Sequence, residues 1–143
     1  MFGDGYDTTE DAARLDMPPH FARVLAKEIS PDARHALVVL GTTEELEPLV
    51  VLCHHDGKKW FHVSGSEPGK AWENMNWDEN DPLNRGVLWL VERAPSGIRE
   101  VSVSLRDTVM RVPVASNGYF IFAAWDVPAA DVRSVMPTLR HDS

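Results

Sequence analysis

The chain has one cysteine, Cys53, in 143 residues, so no intrachain disulfide can form and no oxidising compartment is implied. It has no long hydrophobic run: no stretch approaches the ~18 apolar residues that a membrane-spanning helix needs. Its opening, "MFGDGYDTTEDAARLD", is acidic and carries neither a basic n-region nor an apolar h-region, so it does not read as a signal peptide. Basic residues are outnumbered 22 to 14, which leaves a formal net charge of -8. Such a surface repels phosphate backbones and anionic lipids, which argues against nucleic-acid and membrane partners. Neither G-x-x-x-x-G-K-[ST] nor G-x-G-x-x-G occurs, and "GKAW" at 69–72 is a lone Gly-Lys, so no nucleotide or dinucleotide loop is indicated. No serine nucleophile elbow is present, and no cofactor is implied. The expectation is a soluble, cytoplasmic protein.

What is present is ordinary in bulk and specific in detail. Hydrophobic residues make up 43% and charged residues 25%, as in a soluble globular domain. At this length a chain buries roughly 68–70% of its unfolded surface and needs no staple. Five tryptophans suggest aromatic contact surfaces as well as core. Residues 1–17 read as a flexible or short helical segment, with Thr8 or Thr9 capping a helix over 10–16 ahead of acidic residues. Residues 18–143 read as one β-rich domain. "HFARVLAKEIS" fits both helical and strand spacing, and a short helix over 19–29 is the expectation.

From residue 30 the pattern is antiparallel β. "SPDA" is a turn, "HALVVLG" and "LVVLCHH" are strands, and Asp56-Gly57 is a hairpin turn returning through "KKWFHV". A long loop is expected at 64–86, where Gly, Pro, Asn and acidic residues show no period. "VLWLVE" resumes the sheet. A three-stranded meander then follows: "IREVSVSL", "VMRVPV" and "YFIFAAW", with turns at Arg106-Asp107 and Asn117-Gly118 and a last strand near 131–136. "YFIFAAW" is apolar on both faces and needs cover on both, from a second sheet, the N-terminal helix or a second copy of the chain. The expected fold is mainly β (α+β): an antiparallel sandwich-like or curled sheet with one or two short N-terminal helices. A homodimer is one way to supply the cover.

Ser30-Pro31-Asp32, Cys53, Asp56-Gly57, Trp60, Trp72, Gly118-Tyr119-Phe120 and Trp125 form an ordered set. In this set the chain resembles a group of small uncharacterised actinobacterial β-rich proteins, over roughly residues 30–128. It departs from them at Ala33, where a turn glycine is usual, and in "SGSEPGKAW". The resemblance implies a β-rich fold and no particular activity.

Two stretches carry candidate sites. With a two-residue turn at Asp56-Gly57, His55 pairs with Lys58, Cys53 with Trp60 and Val51 with His62. Cys53, His55 and His62 then share a face, a donor set that zinc accepts, although without a recognised ligand spacing. The competing reading is a solvated polar turn with a small buried thiol. His20 and His35 stand alone and read as surface or half-buried side chains. The 64–86 stretch holds Trp72, Glu73, Trp77, Asp78, Asn80 and Asp81, a tryptophan-bearing acidic surface suited to a ligand or protein partner. "DENDPLN" lacks the ligand alternation of an EF-hand loop. The alternative is that the tryptophans plug the end of a sandwich. The leading functional expectation is a non-catalytic interaction module of unknown protein partner. A cone-shaped α+β domain with a small-molecule or catalytic pocket comes second, and a metal-binding protein using Cys53, His55 and His62 third.

Overall fold

The structure is a computed structural model describing residues 5–15, 22–42, 48–75, 82–105, 108–134 and 137–140. The chain divides into two compact units, 1–68 and 69–143. Among the described residues its sheets are antiparallel throughout, with one short α-helix.

The first unit is a four-stranded meander: β1 (Ala22–Ile29), β2 (His35–Thr42), β3 (Leu49–His55) and β4 (Trp60–Ser66), in that spatial order. The helix α1 (Thr9–Arg14) starts where Thr8 accepts a hydrogen bond from the Asp11 amide at 3.1 Å, with Glu10 and Asp11 in its first turn, an N-terminus favoured by both capping and dipole. Ala12 and Ala13 let it lie close on one sheet face, against Ala36, Val38, Leu40, Val51 and Cys53. The segment just ahead of the helix is tied to β4 and the turn before it. Tyr6 forms an antiparallel bridge with Trp60, and Lys59 pairs with Asp7.

The helix expected over 19–29 is instead β1 across its described part. The segment pairs along its length with β2, with a register shift between Val24 and Ala26. Its helical and strand patterns compete closely, and a neighbouring strand with unsatisfied backbone groups decides in favour of pairing. The β1–β2 turn is built by side chains. The Ser30 hydroxyl donates to Asp32 at 2.6 Å and accepts from the His35 amide at 3.0 Å, while Asp32 accepts from the Arg34 amide at 3.0 Å. Ala33 sits at φ 60, a conformation that costs a residue with a Cβ.

The second unit is a sandwich. One sheet has the order β5 (Gly69–Asn74), β6 (Arg85–Arg93), β9 (Tyr119–Pro128). The other has the order β10 (Thr138–Arg140), β7 (Glu100–Leu105), β8 (Thr108–Pro113). Leu90, Phe120 and Phe122 of the first sheet meet Val101, Val103 and Val112 of the second in one buried cluster.

Three expectations are corrected here. The 64–86 stretch is not one loop: β4 runs to Ser66 and β5 occupies 69–74. "GKAWEN" is polar because β5 lies at the edge of its sheet, with β6 its single partner among the described residues, and an edge needs only one packed face. The meander is also broken. A tight turn does close at Ala115–Gly118, the Gly118 amide donating to Ala115 at 2.8 Å, but β9 leaves β8 and pairs with β6. The physical reason is the two-sided apolarity of β9. Beside β6 it lays Phe120 and Phe122 on the opposing sheet, so that face needs no second copy to cover it. Finally, 129–134 is a 3-10 turn, and the last strand comes later, at 138–140.

Candidate functional site

In the 53–62 hairpin the Asp56 carboxylate accepts from the amides of Lys58 and Lys59 at 2.8 and 2.9 Å, and Gly57 takes φ +102. These bonds close a four-residue loop, so Cys53 faces His62 and His55 faces Trp60. The register is two residues away from the expected one. Because side chains alternate with period two, the shift leaves the same residues on the same face.

That face does not make a metal centre. Cys53 is fully buried under α1, its sulfur 4.0 Å from the Thr9 carbonyl. Burial, with a smaller contribution from the Glu10 charge, pushes its thiol up to about 12, whereas a nucleophile or a metal ligand needs the thiolate. His55 accepts from the Gly57 amide at 3.1 Å and packs edge-on against Trp60. The Nδ1 of His62 is buried with no hydrogen-bond partner. Among the described residues no three His, Cys, Asp or Glu side chains are placed to hold a metal.

Of the tryptophan-bearing acidic surface, Trp77, Asp78, Asn80 and Asp81 lie outside the described residues. Trp72 is a structural plug rather than an open contact. Its indole N–H donates to the Val127 carbonyl at 3.0 Å, and its ring occupies the space where Gly86 has no side chain: a Cβ there would lie 2.5 Å from the ring. Glu73 is half-buried and pairs with Val87.

Among the described residues, a groove of about 370 Å³ lies in the second unit, at the end where β7, β8 and β9 meet. Leu105, Met110, Trp125 and Val127 supply apolar wall, and Asp126 and Asp131 supply carboxylates. Its shape follows from a β-bulge. Leu88 pairs with Ala124 and Gly86 with Val127, so Trp125 and Asp126 together face Val87 alone. Asp126 absorbs the extra residue at φ 59, a left-handed conformation that aspartate tolerates better than most residues. Bulges re-aim side chains and are frequent beside functional sites. The 3-10 turn that follows, anchored by the Ala129 amide to Asn84 at 3.1 Å, brings Asp131 to the same groove. The reading of "YFIFAAW" as a plain strand missed this, since the displaced register depends on the β6 partner. Asp126 two residues ahead of Pro128 was the available signal for a local break.

At the opposite end of this sandwich, a more open cleft of about 830 Å³ lies between the turns at 95–98 and 115–118. Arg93 and Arg99 line it with Ser96, Ser116 and Asn117, and no acidic residue does. In a chain of net charge -8 this is a local reversal of sign.

No family model, curated protein or solved structure matches the chain.

Proposed function

We propose that the protein is a non-catalytic interaction module that engages a partner segment carrying an apolar residue beside a lysine or arginine. The observation that carries this is the groove at Trp125. An aromatic side chain and two carboxylates around an apolar floor complement a cation on an apolar stem, through charge and through the face of the indole. The strained bulge residue Asp126 supports the reading, because backbone strain concentrates at binding sites. A cytoplasmic setting belongs to the same proposal and rests on the composition, with its single cysteine; among the described residues no helix is long and apolar enough to cross a membrane. The likeness to the small actinobacterial proteins is likewise a proposal and carries no activity.

The test is a titration with a synthetic Leu/Lys peptide and its Leu/Glu counterpart, followed by NMR shifts of Trp125. Only the Leu/Lys peptide is expected to bind. Asp126→Gly removes the charge yet suits the backbone, so it should weaken binding at least several-fold while leaving the fold intact. Equal binding of both peptides, or unchanged binding by Asp126→Gly, refutes the assignment.

A second reading, binding of a small molecule, is favoured by the Arg93–Arg99 cleft, whose charge fits an anion. It differs from the cone-shaped pocket first envisaged, because α1 is only six residues long and lies flat on its sheet. Addition of inorganic phosphate should shift the Arg93 and Arg99 side-chain signals. Silence there removes this reading without touching the first.

A further inference from the structure

Arg93 and Arg99 line the cleft between the turns at 95–98 and 115–118. Neither guanidinium group has a hydrogen-bond or ion-pair partner among the described residues. Arg111, on β8 of the same unit, is by contrast paired with Glu100 at 3.3 Å. We propose, resting on the anion-binding reading of this cleft, that it takes a small phosphate monoester with a flat apolar body, its phosphoryl group lying between the two guanidinium groups.

Both arginines are brought to one turn. The Arg93 side chain lies along Gly118, where an added Cβ would be 3.5 Å from its Cγ and from its Nε. The backbone fixes the root of that side chain, since Arg93 pairs with Tyr119 and the Ala94 amide donates to the Gly118 carbonyl at 2.7 Å. Arg99 is held beside the start of the same turn, where its carbonyl accepts from the Val114 amide at 2.9 Å.

Charge selects the ligand. Both guanidinium groups are permanently protonated, and no carboxylate among the described residues lines the cleft. A ligand with one carboxylate would leave one of the two charges unmet, whereas a phosphate monoester carries about -1.5 to -2 at neutral pH. Its three terminal oxygens give each forked donor a pair, with one oxygen shared; a carboxylate has a single pair. Ser96 and Ser116 add hydroxyls. The backbone amides of Ser96, Gly97 and Ser116 make no hydrogen bond among the described residues, and turn amides of this kind build anion-binding concavities.

The remaining lining describes the body of the ligand. The cleft offers about 830 Å³, within the ~300–1,000 Å³ of small-molecule sites and far more than a bare phosphate fills. Pro95, Ile98, Val114 and Ala115 supply apolar wall, and Ile98 is left 43% exposed. A flat ring would cover Ile98 and lie against the guanidinium planes, which stack on aromatic faces.

An NMR titration of the full-length chain with phenyl phosphate, benzoate and inorganic phosphate tests this. Phenyl phosphate is expected to bind once per chain and to shift the Arg93 and Arg99 Nε–H signals and the Ile98 methyls. Benzoate has the ring with a single charge, and inorganic phosphate has the charge without a ring; each should bind about tenfold more weakly. Arg93→Gln and Arg99→Gln should each weaken phenyl phosphate by about tenfold, as loss of one charge-assisted hydrogen bond does. Both side chains are exposed and unbonded, so these variants keep the fold. Arg111→Gln removes a charge outside the cleft and should change binding by no more than about twofold. If inorganic phosphate or benzoate binds as tightly as phenyl phosphate, the proposal is overturned and the anion-binding reading stands. Unchanged binding in both arginine variants, or shifts centred away from Arg93 and Arg99, also overturns it. If none of the three probes moves either arginine signal, both fall.

Discussion

Gly86→Ala isolates the contact on which the β5 edge depends. Gly86 pairs with Asn74 on one side and Val127 on the other. A methyl group at its Cβ position would lie 2.2 Å from the Glu73 carbonyl oxygen and 2.5–2.6 Å from two carbons of the Trp72 ring. The first obstacle is backbone and cannot rotate away. Relief requires β5 to move outward, which withdraws the Trp72 ring and breaks its hydrogen bond to Val127. Overpacking of this kind costs roughly 1–3 kcal/mol, and loss of the hydrogen bond adds about 1 kcal/mol. The expected destabilisation is about 3 kcal/mol, a large fraction of a domain's typical ~5–15 kcal/mol. At roughly 3 °C per kcal/mol for this chain length the melting temperature should fall by about 9 °C. Gly65→Ala is the control. It lies in β4 with no atom within 4 Å of its Cβ position, so alanine should be neutral or stabilise by a few tenths of a kcal/mol. Urea unfolding followed by circular dichroism and tryptophan fluorescence measures both. If Gly86→Ala falls within about 0.5 kcal/mol of wild type, the size of an ordinary surface substitution, the docking of Trp72 over β6 is wrong.

Ala33→Gly should stabilise the protein by roughly 0.5–1 kcal/mol, because glycine relieves the φ 60 strain at the cost of some unfolded-state entropy; a lower melting temperature would contradict the turn geometry. Cys53 should ignore a thiol reagent in the folded protein and react at once in urea. Its folded value of about 12 stands above the ordinary thiol at ~8.5. The neutral form is thus favoured by folding, and stability present below ~8.5 is lost as pH rises towards 12, at up to ~1.4 kcal/mol per pH unit. Cys53→Ala should remove that slope from the difference curve, and a parallel pH profile in the variant would contradict the burial of the thiol under α1. His62→Leu should raise stability by about 1 kcal/mol by deleting the orphaned Nδ1. Destabilisation by chemical denaturation would mean that the nitrogen has a partner.

The candidate sites show where sequence reasoning reaches its limit. The face shared by Cys53, His55, Trp60 and His62 was legible although the turn was assigned two residues too short, because a period of two survives a two-residue error. Whether that face meets solvent, an ion or a helix was not legible. Residues 9–14 answer it by covering Cys53. His35 read as solitary because its partner lies 19 positions away and is set by the β2–β3 register. Trp125 read as one more residue of an apolar strand until pairing with β6 forced the bulge.

Local and pairwise physics therefore determined what the sequence could announce by itself. This covers the antiparallel β class, a threonine cap at Thr8 or Thr9, the Ser30–Asp32 and Asp56–Gly57 turns and the alternation of faces along β3 and β7, since each depends on neighbours a few residues apart. Tertiary structure decided the rest. It made a strand of 22–29 and an edge strand of 69–74, sent β9 to β6 rather than β8, buried Cys53 and brought His35 against His54. In every one of these the choice lay between local options of similar free energy, and the backbone groups and apolar faces of distant strands selected among them.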